Sequence, residues 1–240
     1  MRKIIATLAL SVTFSGLAVD APAQTNYHRI YLEPDFAWNL PYKQTYEQQS
    51  LKEWGQYYGF VAGYEFQKPN FIYAGLEVFI SLGNRFGEWR IDNMKVFEYE
   101  TMASKNKVEG HLGYTLSNGR FSLTPFSGTG AYFLDNNNTQ LNVAFIPIGL
   151  NASCQLENLN IGVKGEQIHY LHTWEHLSDN TKYSTNVWNL SPYGYEISLP
   201  LSFQVEGYSG KWFGAIEPYY LKLFSDMAFV GGRISAIHEF

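Results

Sequence analysis

From Tyr193 to Glu206 the chain reads Tyr-Gly-Tyr-Glu-Ile-Ser-Leu-Pro-Leu-Ser-Phe-Gln-Val-Glu. Every odd-numbered position is large and apolar or aromatic: Tyr193, Tyr195, Ile197, Leu199, Leu201, Phe203, Val205. Every even one is small or polar: Gly194, Glu196, Ser198, Pro200, Ser202, Gln204, Glu206. Successive side chains of an extended chain point to opposite faces, so this stretch is a strand with one greasy face and one polar face. It is far longer than the ~5–6 residues usual for a strand in a soluble sheet.

The same split recurs along the chain. In His28–Trp38, Ile30, Leu32, Pro34 and Phe36 oppose Arg29, Tyr31, Glu33 and Asp35. In Trp54–Phe66, Tyr58, Phe60, Ala62 and Tyr64 oppose Gly59, Gly63 and Glu65, and in Phe71–Gly83 Ile72, Leu76, Val78 and Ile80 oppose Gly75 and Glu77. Val108–Leu116 sets Leu112 and Tyr114 against Glu109 and His111, while Leu141–Leu156 sets Ile146, Ile148 and Leu150 against Gly149, Asn151 and Ser153. Phe121–Phe133, Leu159–His172, Trp212–Phe224 and Met227–Phe240 complete a set of ten. Pro125 interrupts the fifth, and Glu217 and Lys222 fall on opposite faces of the ninth, which predicts a bulge there. Links at Gln67–Asn70, Ser117–Arg120, Gln155–Asn158 and Gly207–Lys211 are tight, with turn pairs such as Asn118–Gly119. The intervening links include long polar stretches near 39–53, 84–107 and 173–192, read as loops.

Composition narrows the class. The 240-residue chain is 17% aromatic and only 16% charged, with a net charge of −5, which excludes a disordered chain and disfavours a nucleic-acid partner. A lone cysteine, Cys154, excludes an internal disulfide framework. Residues 1–23 form an address: Arg2 and Lys3, a short apolar stretch from Ile4 to Val19, then Ala21-Pro22-Ala23, the pattern of a cleaved secretory signal peptide. The apolar stretch falls short of the ~20 residues of a spanning helix. Residues 24–240 are then a single domain.

Together, the export signal, two-faced strands, alternation of tight turns with longer loops and a final Phe240 resemble a Gram-negative outer-membrane β-barrel. The resemblance implies an all-β, antiparallel transmembrane barrel of about ten strands, eight or twelve being the alternatives. It further implies outer-membrane lipid and lipopolysaccharide as surroundings, a monomer, no cofactor, and barrel-assembly machinery that reads the last strand, with Phe240 following Val230, Ile234 and Ala236 on one face. The competing architecture is a soluble exported barrel of lipocalin type, with the apolar faces inward.

With polar faces inward, the lumen collects Arg29, Glu33, Asp35, Glu77, Glu109, Lys164, Glu166, Glu196 and Arg233, with Glu65, His111 and Glu206. Acids outnumber bases, so the charges either pair into a plug or line a cation-preferring pore. Arg233 on the last strand would meet Glu33 or Asp35 on the first. Aromatics at strand ends (Trp38, Trp54, Tyr57, Tyr58, Tyr170, Trp174, Tyr193, Trp212) suit interfacial girdles.

One cluster carries chemical possibilities: His169, His172 and His176, followed by Ser178 and Asp179, at the start of a long loop. His176 and Ser178 are similar to the His-x-Ser pair of outer-membrane lipid-ester hydrolases, which implies Ser178 as nucleophile, His176 as base and Asp179 or Glu196 as orienter. In those proteins the pair lies on a strand. The run His172-x-x-x-His176-Leu177-x-Asp179, with Asn189, Leu190 and Ser191 after it, looks like a motif from a family of uncharacterised outer-membrane barrels, from which this chain departs at Trp174, Glu175, Ser178 and Asn180. Metal binding by His172 and His176 is a third possibility, and a solvated rim is the reading preferred over it, so no metal is expected. The leading functional expectation is a non-enzymatic surface barrel, structural, interacting, or passing small solutes; the alternative is a hydrolase of lipid A or phospholipid.

Overall fold

A computed structural model describes residues 27–46, 49–92, 94–135, 139–177, 182–183, 193–205, 211–224 and 227–239. The expected signal peptide, Ser178, Asp179 and Phe240 lie outside them. The strands are β1 (Tyr27–Tyr46), β2 (Gln49–Gln67), β3 (Phe71–Ile91), β4 (Met94–Asn118), β5 (Phe121–Asp135), β6 (Thr139–Leu156), β7 (Leu159–Leu177), β8 (Lys182–Tyr183), β9 (Tyr193–Ser198), β10 (Leu201–Val205), β11 (Lys211–Leu223) and β12 (Met227–Glu239). Each pairs antiparallel with its neighbours, and β12 pairs β1, so the sheet closes on itself.

The stretch that decided the fold forms β9 and β10, two halves of one stave. Both halves keep one register against β7 and one against β11. The ladder is broken only where Pro200 has no N–H to give, and its carbonyl still accepts from Gly162 N–H at 2.8 Å. With β9 and β10 as one stave, and the two-residue β8 set aside, the wall has ten staves.

All seven of its apolar residues, Tyr193 through Val205, are exposed on the outside of the ring, whereas Gly194, Glu196 and Ser198 are buried inside it. The other staves agree: Ile30, Leu32 and Phe36, Phe60, Leu76 and Ile80, Leu112, Ile148 and Leu150, Ile216 and Ile234 all stand outward and exposed. A continuous apolar exterior has no stable state in water, and its remedy is lipid. The lipocalin arrangement is thereby overturned. A 13-residue stave such as β11, at ~3.3 Å per residue and tilted ~40°, rises about 33 Å, enough for the ~25 Å apolar band of such barrels.

Three sequence expectations are corrected. The stretches near 39–53 and 84–107 are not loops: β1 and β2 run up to Tyr46 and from Gln49, and β3 and β4 to Ile91 and from Met94. Above the apolar band polar and apolar side chains mix on both faces, as with Trp89, Met94, Val96 and Met102 among charged neighbours, so the alternation that marks a strand fades although the ladder continues. The wall is therefore much taller along β3 and β4, of 21 and 25 residues, than along β11 and β12, of 13 each. Likewise β7 continues past His172 to Leu177, so His176, expected in the loop, is borne on the same strand as His169 and His172. Finally, β11 has no bulge: its register to β12 is unbroken from Lys211 to Leu223, with Glu217 inward and Lys222 outward. Pro125, outward and exposed, costs only local pairing to β4, where the ladder skips from Gly113–Phe126 to Leu116–Leu123.

The links after β2, β4 and β6 fall at one end, the turn end; the opposite end, where β1 meets β2 and β3 meets β4 across two residues, is the rim. At the turn after β4, Gly119 sits at φ 60°, the left-handed conformation that the Asn118-Gly119 pair anticipates.

Candidate functional site

The interior is stratified. Nearest the turn end is a polar cavity of about 120 Å³ whose walls include Tyr31, Glu65, Asn151, Ser153, Ser202 and Ser235. That is room for a cluster of waters. Its upper wall, from Glu33, Glu77, Lys164, Glu217 and Arg233, begins a charged layer. Above that, toward the rim, the lumen is apolar: Tyr57, Tyr132, Val143, Phe145, Ile168, Leu221, Leu223, Phe224 and Phe229 pack into one buried cluster.

The charged layer is organised by two cations. Arg233, on β12, reaches Asp35 Oδ1 at 3.4 Å, Glu196 Oε1 at 3.0 Å and Glu217 Oε1 at 3.4 Å, so one guanidinium fork ties β1, β9 and β11 together. The Tyr219 ring lies against its other face, 4.5 Å from Cζ, and the Tyr219 hydroxyl donates to Asp35 Oδ2 at 3.2 Å. Glu33 accepts from the Ser235 hydroxyl at 2.6 Å. On the other side, Glu77 and Glu109 are direct cross-strand partners in β3 and β4. Like charges so placed repel, and Lys107 Nζ sits between them, 2.7 Å from Glu77 and 2.9 Å from Glu109. Glu109 also contacts the ring of His111, its neighbour on the same face. The ring is held edge-on by Phe126, centroids 4.8 Å apart, and Phe126 in turn lies across Gly149, where a Cβ would collide with it.

Glu166 and Glu196 form a second like-charged cross-strand pair, between β7 and β9. Glu196 has Arg233. Among the described residues neither oxygen of Glu166 finds a hydrogen-bond partner. One ligand atom each from Glu109, His111 and Glu166 falls within 4.8 Å of the others, and all three residues are buried.

Of the residues expected in the lumen, Arg29, Glu33, Asp35, Glu77, Glu109, Lys164, Glu166, Glu196 and Arg233 all face inward. Arg29 stands apart near the turn end, 3.3 Å from Glu239. Sequence reading missed Lys105 and Lys107, both buried, because they fell in the supposed loop 84–107. Lys105 Nζ lies 4.4 Å from the centre of Phe229, 4.8 Å from Phe79 and 5.8 Å from Tyr219, a cation beneath the apolar layer held by ring faces. It also missed a network on the inner face of the tall wall, where Arg85 pairs with Glu53 and the Tyr99 hydroxyl donates to the same carboxylate. The signal was present in the odd positions Tyr99, Ala103, Lys105 and Lys107, but no apolar partner face set it off.

His169 and His172 have separate partners. His169 packs edge-on against Tyr193 and His172 against Trp174, centroids 5.7 and 4.4 Å apart, on the outer face of β7. The backbone of His176 pairs with Gln140 and Lys182. Of the expected girdle, Trp38, Tyr58, Trp174, Tyr193 and Trp212 are outward and exposed, whereas Tyr57 turns inward into the apolar layer and Tyr170 packs inside against Phe224.

No protein-family model matches this chain, and no curated protein matches it. Its fold is similar to that of the outer membrane protease OmpT from Escherichia coli, with a TM-score of 0.56 at 9% identity over 92% of this chain and 99% of that one. It is also similar to the translocator domain of the autotransporter NalP from Neisseria meningitidis, with a TM-score of 0.50 at 11% identity over 88% of each chain. At these identities the likeness is one of fold: the chain is an antiparallel transmembrane β-barrel of the outer-membrane type.

Proposed function

We propose that this is a monomeric outer-membrane barrel with a closed lumen, acting as a structural or surface-interaction protein through its rim and the tall β1–β4 wall rather than as a diffusion pore. One observation carries this reading: above the charged layer the lumen is filled by side chains with almost no accessible surface, Tyr132, Phe145, Ile168, Leu223 and Phe229. A hydrated ion crossing that layer would shed its water for few polar partners, the Asn39 amide and the Tyr132 hydroxyl among them. The acidic excess beneath it does not make an open cation path, because Glu77 and Glu109 are tied to Lys107, and Asp35, Glu196 and Glu217 to Arg233, within the wall. A residual passage for very small solutes would run only past the aromatic layer.

The test is conductance of the purified, folded protein in planar bilayers, after unboiled and boiled samples have been compared on a gel to establish that the barrel is folded. A folded barrel without step-like currents supports the reading. Stable unitary currents that favour cations would replace it with the pore.

A further inference from the structure

We propose that Glu109, His111 and Glu166 form a binding site for a first-row divalent cation, with Zn²⁺ as the best-matched ion, and that the ion pins β4 to β7 across the lumen. The ligand atoms lie within 4.8 Å of one another. An ion at the centre of a triangle of that edge is at most about 2.8 Å from each, and small side-chain rotations reach the ~2.0–2.2 Å of zinc bonds. One imidazole with two carboxylates is a donor set for zinc or manganese, harder than a thiolate site and softer than an all-oxygen calcium site.

The second, independent observation is Glu166. It is 4% exposed, and among the described residues neither of its carboxylate oxygens has a partner. Its cross-strand neighbour Glu196 is held directly by Arg233, whereas the Glu166 carboxylate has no such direct partner among the described residues. A dication would supply one. Lys107 does not compete for the position, because it already bridges Glu77 and Glu109. Lys164, two residues along the same face of β7, lies beyond ion-pair distance of Glu166. Glu109 and the His111 ring already touch each other, so the two ligands from β4 stand side by side. The edge-on Phe126 that orients His111 supports the ligand as hydrogen bonds do in other metal sites.

The experiment uses the full barrel, folded in detergent, stripped with a chelator, and titrated separately with ZnCl₂, MnCl₂ and CaCl₂. Stoichiometry is read by metal analysis after gel filtration, and stability by the temperature at which the heat-modifiable band shifts. The proposal expects one Zn²⁺ per barrel and an upward shift of that temperature, with Glu166→Gln losing both and with Ca²⁺ inert. His111→Gln is the second variant, should Glu166→Gln not fold. His172→Gln keeps both effects, because that side chain lies on the outer face. The proposal is overturned if the wild type takes up no Zn²⁺, if Glu166→Gln and His111→Gln bind it as the wild type does, or if only His172→Gln abolishes binding. Channel currents are a separate readout, so a failed metal site and a failed closed lumen are told apart.

Discussion

Asp35 and Arg233 face each other in register across the seam where the last strand closes on the first, with Arg233 Nε 3.4 Å from Asp35 Oδ1. The residues are far apart in sequence, and their meeting is a consequence of closure alone. Because the same guanidinium also holds Glu196 and Glu217, this one side chain spans the seam and the two staves beside it.

Arg233→Met leaves three inward carboxylates without their cation. Breaking one buried pair costs about 3–5 kcal/mol, so the expected outcome is a clearly lower urea midpoint for the folded barrel. Adding Glu196→Gln to Arg233→Met should recover part of the loss, since it removes one orphaned charge. A double variant no more stable than the single would show that Arg233 acts by packing on Tyr219 and not by charge.

Phe145 and Phe229 close the lumen above the charges. Truncating such a buried ring costs about 3–5 kcal/mol, and here it also opens a path. The Phe145→Ala, Phe229→Ala double variant should give small cation-favouring currents in a bilayer where the wild type is silent. Silence from a folded double variant would place the barrier in the charged layer instead.

Tyr99, Arg85 and Glu53 brace the wall above the apolar band. A hydrogen bond to a charged group contributes ~1.5–3 kcal/mol, and partial exposure puts Tyr99→Phe at the low end. The band embedded in detergent should keep its heat modifiability, while trypsin should cut the β3–β4 hairpin faster. Equal cutting rates would mean the ladder alone holds the hairpin.

His176 is borne on a strand, as in the hydrolases that the His-x-Ser pair resembles, but the inward and outward contacts of its neighbours describe a girdle. Mass spectrometry of lipid A and phospholipids should therefore be the same from cells expressing the wild type and Ser178→Ala. An acyl chain lost only with the wild type would make this protein an enzyme.

The two-residue period by itself determined the barrel, the sign of its faces and the inward set of charges from Arg29 to Arg233, because side-chain direction in a strand is a local property. Tyr193–Glu206 needed nothing beyond its own alternation to be read. The tertiary structure decided the rest. Where polar and apolar residues mix on both faces, above the lipid band, alternation carries no contrast, so the extent of β3 and β4 and the inward placement of Lys105, Lys107 and Arg85 were not legible. Where both faces are apolar, near the rim, Phe145, Ile168 and Leu221 look like lipid-facing residues in sequence, and only the closed ring shows them plugging the lumen. Which acid meets which cation was settled by register and closure, and those are global: one guanidinium took three carboxylates, one ammonium took two, and Glu166 was left with none.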